Sequence, residues 1–328
     1  WAQASSRSTV SPLVRQGDDA WEAQAIAAFH QLDKVEARIT GPGPLSLNAQ
    51  WSVLHKRFHF ALMGACTSPK LLELSSSLFD QAERVDRAVG RVGARETGKP
   101  NIFFVGFAGY GEQRVFAEEV GLAARVIGSK YGSGSRSVRL INDQRNSTAF
   151  PLATVSGLRR TLQGVAQRMN LQDDILFLVL SSHGSEGAQL AVQNGGLPLQ
   201  QLSGPDLADA IRDAGIRWKV VVISACYAGG FIDALKDERS IILTAAASNR
   251  TSFGCSDDRD LTYFGEAFFR DALPGATSLR EAFTQANTVI GAREDEEGVE
   301  ASDPQAFFGS ALESYLGQLE SAAATDRK

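Results

Sequence analysis

The sequence predicts an α/β fold, a mostly parallel sheet flanked by helices, preceded by a small all-α helical segment. Three observations lead to this. Short apolar runs rich in β-branched and aromatic residues recur at Ile102–Phe107, Ser137–Ile141, Ile175–Leu180, Lys219–Ile223 and Ile241–Ala245. Helix-like stretches at 114–127, 153–169 and 205–214 lie between them. Strands alternating with helices imply a parallel sheet covered on both faces, whereas residues 18–90 carry helical spacing only.

In the helical segment, Asp18 or Asp19 can cap a helix in which Trp21, Ala25, Phe29 and Leu32 recur on one face. Gly41-Pro42-Gly43-Pro44 breaks the chain. Asn48 can then cap a second helix with Trp51, Leu54, Phe58 and Leu62 on one stripe, and Thr67-Ser68-Pro69 opens a third through Leu71, Leu74, Leu78, Ala82 and Val85. Together they predict an antiparallel helical packet. The boundary is expected near residue 90, with 91–328 as the α/β domain. Beyond the strands, Tyr263–Leu273, Ser278–Ile290 and a tail near 311–320 have helical texture.

Composition narrows the function classes. The chain has 328 residues, 43% hydrophobic and 22% charged, which is enough to bury a substantial core. A net charge of −5 without a clustered Lys/Arg stripe argues against a nucleic-acid surface. No apolar run approaches the roughly 20 residues a bilayer span needs. The chain opens on Trp1 with no basic-then-apolar leader, which reads as a trimmed or partial product. The three cysteines, Cys66, Cys226 and Cys255, do not form a disulfide framework, so a reactive thiol is open. A base for it would come from His30, His55, His59 or His183.

Two strand ends carry the chemistry. Ile175–Leu180 runs into Ser181-Ser182-His183-Gly184, and Lys219–Ile223 runs into Ser224-Ala225-Cys226-Tyr227-Ala228-Gly229-Gly230. In open α/β sheets functional groups collect beyond the carboxyl ends of parallel strands. A thiol of pKa ~8.5 is only a few per cent ionised at neutral pH and needs a base. His183 supplies one if the two strands are neighbours. Acyl transfer also needs N–H groups aimed at the developing oxyanion, for which the Gly184 and Cys226 amides are candidates. Gly229 and Gly230 would let the chain turn tightly. The competing reading makes Cys226 a small core residue and His183 a turn residue. Cys255 is expected to pack beneath a substrate loop, and Cys66 to be structural.

These residues carry a family resemblance. Residues 86–320 resemble the bacterial branch of the legumain-like cysteine peptidases, with their caspase-like α/β sandwich. The match runs through Phe103-Phe104-Val105-Gly106-Phe107-Ala108-Gly109, Leu180–Gly184, Val222–Phe231, Leu243-Thr244-Ala245-Ala246, Arg250–Cys255 and Leu261-Thr262-Tyr263-Phe264-Gly265. The resemblance implies Cys226 as nucleophile, His183 as proton shuttle and the Gly184 and Cys226 amides as oxyanion donors. It also implies Arg114, Glu266 and Ser252 on the substrate side, and Glu112 where the family often has an Asn that orients the His. No cofactor is implied. The expected partner is a protein or peptide substrate hydrolysed, or passed to an amine, through an acyl-enzyme. Neither nucleic acid nor a membrane span is expected.

Residues 1–85 resemble part of the FCD effector domain of GntR-family regulators of the FadR type. The stretch Trp51–Leu62 with Ser68-Pro69-Lys70-Leu71-Leu72-Glu73-Leu74 carries it. His55 and His59, one helical turn apart on one face, match the position of a metal or carboxylate site in that family. Two His do not close a structural zinc site, so no metal is assigned. The alternative function is therefore a ligand- or metal-sensing regulator fragment fused to an inactive peptidase-like scaffold. The N-terminal helices are the expected surface for any oligomer. Cytoplasm is the expected compartment, with periplasm as the alternative.

Overall fold

The structure, a computed structural model, describes residues 80–145, 149–195, 197–256 and 259–325, with 27–28, 31–32, 53–55, 57 and 78. The break at 41–44, His30, His59 and Cys66 lie outside the described residues. In the N-terminal unit, Trp1–Asp80, the described residues 27–28, 31–32, 53–55, 57 and 78 are helical.

The second unit, Gln81–Lys328, is built on a six-stranded sheet. Its strands are β1 (Ile102–Ala108), β2 (Ser137–Ile141), β3 (Ile175–Ser181), β4 (Trp218–Ser224), β5 (Ser240–Thr244) and β6 (Gln305–Phe308), in the order β6-β5-β4-β3-β1-β2. All neighbours are parallel except β5–β6. Every residue of β1, β3 and β5 is buried, as a sheet covered on both faces requires.

Helices α1 (Gln81–Gly90), α2 (Arg114–Tyr131), α3 (Val155–Ala166), α4 (Gly204–Asp213), α5 (Leu279–Glu297) and α6 (Ser310–Thr325) supply that cover. The residues of β1 alternate between two cores. Phe103, Val105 and Phe107 pack with Val85 and Val89 of α1, Leu158 and Leu162 of α3 and Leu207 of α4. Ile102 and Phe104 pack with Ile127 of α2, Ala282 and Phe283 of α5 and Leu312 of α6. Burying a side chain of this size contributes about 1.5–3 kcal/mol. The unit boundary thus falls ten residues before the one read from sequence. Helical spacing gave α1 to the helical segment, but Val85 and Val89 belong to the sheet's core.

The starts of three helices follow local chemistry. Thr154, Ser203 and Ser278 each accept a bond from the amide three residues on, the usual N-cap arrangement. The stretch read as one helix from Tyr263 is α-helical only to Gly265 and continues as a π-helix over Glu266–Ala272. Strand β6 and the short hairpins between residues 184 and 203 have no counterpart in the sequence reading.

Candidate active site

Register places the two strand ends side by side. Along the parallel β3–β4 ladder, Ser181 stands opposite Ser224, and the Ser182 amide still donates to the Ser224 carbonyl at 3.2 Å. His183 and Cys226 are each two residues past that paired position. The next residue closes the gap further: a Cβ on Gly184 would overlap the Cys226 carbonyl oxygen, so only glycine permits this approach.

The exit from β3 is held by a small antiparallel sheet in which Gly184 faces Leu190. The Ala191 amide donates to the His183 carbonyl at 2.9 Å, which makes Gly184–Leu190 a non-hydrogen-bonded pair. The Gly184 N–H therefore points away from this ladder. After β4 the chain turns at Tyr227, which takes the left-handed conformation at φ 56° and donates its amide to the Arg250 carbonyl at 2.8 Å. The turn thus rests on Tyr227 rather than on Gly229 or Gly230. Gly229 serves instead for close approach, since a Cβ there would lie 2.6 Å from the Ser248 nitrogen.

The His183 ring is clamped edge-on between Tyr110 and Phe116, at centroid distances of 4.6 and 5.0 Å. Its Nε2 donates to Gln113 Oε1 at 2.6 Å. An amide oxygen only accepts, so this bond fixes the hydrogen on Nε2 and leaves Nδ1 as the basic nitrogen. Desolvation among the aromatic rings holds the imidazole below its ordinary value of 6.5. Gln113 is the residue the sequence reading missed. It named Glu112, whose carboxylate instead accepts from Gln193 at 3.2 Å. Gln113 stands at the N-cap of α2 without capping it, its side chain turned to the imidazole. A Gln at a position that favours Ser, Thr, Asp or Asn was the available signal.

Cys226 is half-buried and faces Ser252, whose amide nitrogen lies 3.3 Å and hydroxyl 3.7 Å from the sulfur. The structure thus joins Ser252 to Cys226. Arg114 ion-pairs with Asp260 on the surface. Glu266 starts the π-helix and is engaged by Arg259 at 2.5 Å, by Arg293 at 2.7 Å and by Arg270. Bonds from Arg293 and Arg270 outweigh burial and hold its carboxyl below the usual range. Cys255 packs with Tyr110 and Phe116 in a third apolar cluster. Burial first, then the Cys226 and Glu119 charges, pushes its thiol up to about 12. His55 is helical and half-buried. Among the described residues, no group of three or more His, Cys, Asp or Glu side chains is placed to hold a metal ion.

A buried carboxyl underlies both strand ends. Glu119, fully enclosed in α2, accepts from the Ser181 hydroxyl at 3.1 Å, from the Thr262 hydroxyl at 2.5 Å and from the Thr262 amide at 3.3 Å. Thr262 is in turn 3.1 Å from the Ser224 hydroxyl. One side chain therefore joins the ends of β3 and β4 to the segment that follows the Ser252 loop. Burial raises its pKa, and the hydroxyl bonds oppose the shift only in part.

A thiol and an imidazole at neighbouring ends of a parallel sheet are the framework of a cysteine peptidase. The chain belongs to the Peptidase C13 family, whose model matches residues 103–314. Caspase-1 from Spodoptera frugiperda is a solved structure similar to it, with 14% identity and a TM-score of 0.45, covering 64% of this chain and 87% of that one. The N-terminal region matches HTH-type regulators. Identity is 37% over 75 residues to the HTH-type transcriptional repressor GlaR of Escherichia coli (strain K12) and 36% over 74 residues to the uncharacterized HTH-type transcriptional regulator BphR of Paraburkholderia xenovorans (strain LB400). Each match covers 23% of this chain, and 33% and 30% of those proteins, so the chain spans about a third of the curated relatives it matches. Among the described residues, no helix is long and apolar enough to cross a membrane.

Proposed function

We propose that the chain is a cysteine endopeptidase that cleaves peptide bonds through an acyl-enzyme on Cys226. The observation that carries this reading is the β3–β4 register, which sets His183 and Cys226 at equal distances past a paired position. His183 Nδ1 takes the thiol proton and returns it to the leaving amine, while Gln113 holds the ring through Nε2. The tetrahedral oxyanion is received by the Gly184 and Cys226 amides. A donor of this kind is worth about 10²–10³ in turnover. Water then releases the acyl group, and an amine entering instead would make the same intermediate a transamidase intermediate.

On the substrate side, Ser252 lines the approach to the sulfur. Glu266, already engaged by three arginines, is poorly disposed to receive a substrate side chain by itself. This reading therefore assigns no cleavage preference from Glu266. A peptide-library cleavage profile of the purified chain, with Cys226→Ala as control, tests the proposal. Turnover abolished by Cys226→Ala, with iodoacetamide blocking Cys226 ahead of Cys66, is expected. Absence of turnover together with equal labelling of the two thiols would remove it.

A second reading concerns residues 1–85 alone and is favoured by the regulator matches. Here that segment binds a small carboxylate or a divalent metal through His55 and His59. Calorimetry with divalent metals on wild type and His59→Ala decides: equal heats from both would discard it.

A further inference from the structure

Away from Cys226, at the open β2 edge of the sheet, a cavity of about 340 Å³ is lined by Arg84 and Arg87 of α1, by Arg91 in the turn just after it, by Arg139 of β2, and by Phe150. The spacing 84 and 87 puts two guanidinium groups on one helical face, and Arg91 follows them in the turn that ends the helix. Arg139 lines the cavity from β2, while its guanidinium stacks over the Phe150 ring at 4.5 Å and turns to the α2 face, opposite the one that Val138 and Leu140 present to α1. None of Arg87, Arg91 and Arg139 forms an ion pair with a described carboxylate. Of the two acids of α1, Asp86 is taken by Arg160 at 2.6 Å, and Glu83 stands one turn before Arg87, whose Nε donates to the Glu83 carbonyl at 3.4 Å. On the α2 face the Arg139 guanidinium meets like charge at Arg125: the two come within 3.9 and 3.6 Å of the position a Cβ would take on Gly121. Burial and Arg125 hold Arg139 below the usual guanidinium range, the response expected of a cation lacking its counter-charge.

The strand edge adds donors. The Phe104 amide bonds the Arg136 carbonyl at 2.8 Å, so residues 136, 138 and 140 of this chain segment serve β1. Ser137, Arg139 and Ile141 turn their N–H groups outward. That of Ile141 is taken by the Pro151 carbonyl at 2.9 Å, which closes one end of the cavity. Those of Ser137 and Arg139 face its lining.

We propose that this cavity binds a small multivalent phosphate anion, held by Arg87 and Arg91 and by the edge amides of β2. Guanidinium forks match phosphate oxygens two at a time, and the volume suits a small molecule. The edge left open before Pro151 spans only about three residues, roughly 10 Å, which favours a compact ligand over an added peptide strand.

Titration calorimetry on the full chain at low salt, with pyrophosphate as the probe, tests this independently of the peptidase reading. Saturable one-to-one heat is expected, equal in Cys226→Ala and in a control at another surface helix, Arg212→Gln. The double variant Arg87→Gln/Arg91→Gln, at two exposed positions, one in α1 and one in the turn after it, should bind at least 10-fold more weakly. No saturable heat, or equal affinity in wild type and the double variant, would overturn the proposal. So would preference for an Asp/Glu-rich peptide over pyrophosphate.

Discussion

Gln113 Oε1 lies 2.6 Å from His183 Nε2, a bond that costs α2 its N-terminal side-chain cap. A helix start that forgoes its cap, worth about 1 kcal/mol, spends that stability on orienting an imidazole. Gln113→Ala should therefore leave the fold intact and lower kcat by about 10–100-fold, less than the ~10²–10⁴ that general acid–base catalysis typically supplies. Gln113→Glu should partly restore turnover and move the acid limb of the rate profile to higher pH, because a carboxylate stabilises the imidazolium. Unchanged kcat in Gln113→Ala would leave Gln113 with a structural part alone.

The pH dependence follows from the ring's surroundings. Desolvation lowers the His183 pKa from 6.5, so the neutral base persists further into acid than a free imidazole would. The acid limb of kcat/KM should have its midpoint below pH 6.5. Stability carries the same sign. The unfolded chain takes up the proton first as pH falls, so this contribution is present above 6.5 and is lost as pH drops through the folded value. A midpoint at or above 6.5 with a small uncharged peptide substrate would contradict the aromatic clamp.

Much of this arrangement was legible in the sequence because its causes are local. Buried apolar runs rich in β-branched and aromatic residues mark β1, β3 and β4, and the polar groups that end β3 and β4 lie at the strands' carboxyl ends. What escaped depends on geometry between distant segments. β6 has four half-buried residues, Gln305–Phe308, and is a strand only because β5 offers an antiparallel edge. The choice of Gln113 over Glu112 turns on one residue of backbone rotation entering α2. Glu119 reads as one more acid on a helix until Ser181 and Thr262 are brought to it by the fold.

Glu119 gives a prediction opposite in sign to His183. Its folded pKa is raised above 4.5 by burial, so its contribution is fully present below 4.5 and is lost as pH rises through the folded value. Glu119→Gln removes that loss, and the Tm of the variant relative to wild type should increase between pH 5 and pH 8. Glu119→Ala instead strands the Ser181 and Thr262 donors and should destabilise by about 1–3 kcal/mol at every pH. A Tm difference for Glu119→Gln that stays flat with pH would mean the carboxyl does not titrate as its enclosure requires.

The two described thiols should be chemically distinct. With Cys255 pushed up to about 12, its thiolate fraction at pH 7.5 is on the order of 10⁻⁵ to 10⁻⁴. Mass spectrometry after brief iodoacetamide treatment should find Cys226 modified and Cys255 untouched until the chain unfolds. Cys255→Ser should retain Cys226 labelling, although a hydroxyl placed against Tyr110 and Phe116 lowers stability. Rapid labelling of Cys255 in folded protein would show that its cluster opens in solution.

Gly184 tests the juxtaposition of the two strand ends most directly. A single methyl group at this position overlaps the Cys226 carbonyl oxygen, and a main-chain atom cannot rotate aside as a flexible side chain would. Gly184→Ala must therefore push the β3 exit away from the turn after β4, separating His183 from Cys226 while leaving both side chains present. A displacement of about 1 Å at such a site costs on the order of 10²-fold in rate. The expected result is a folded protein, judged by unchanged circular dichroism, in which peptide turnover falls by at least that factor. Retained turnover would mean that the closeness of these two backbones is not what aligns the imidazole with the thiol.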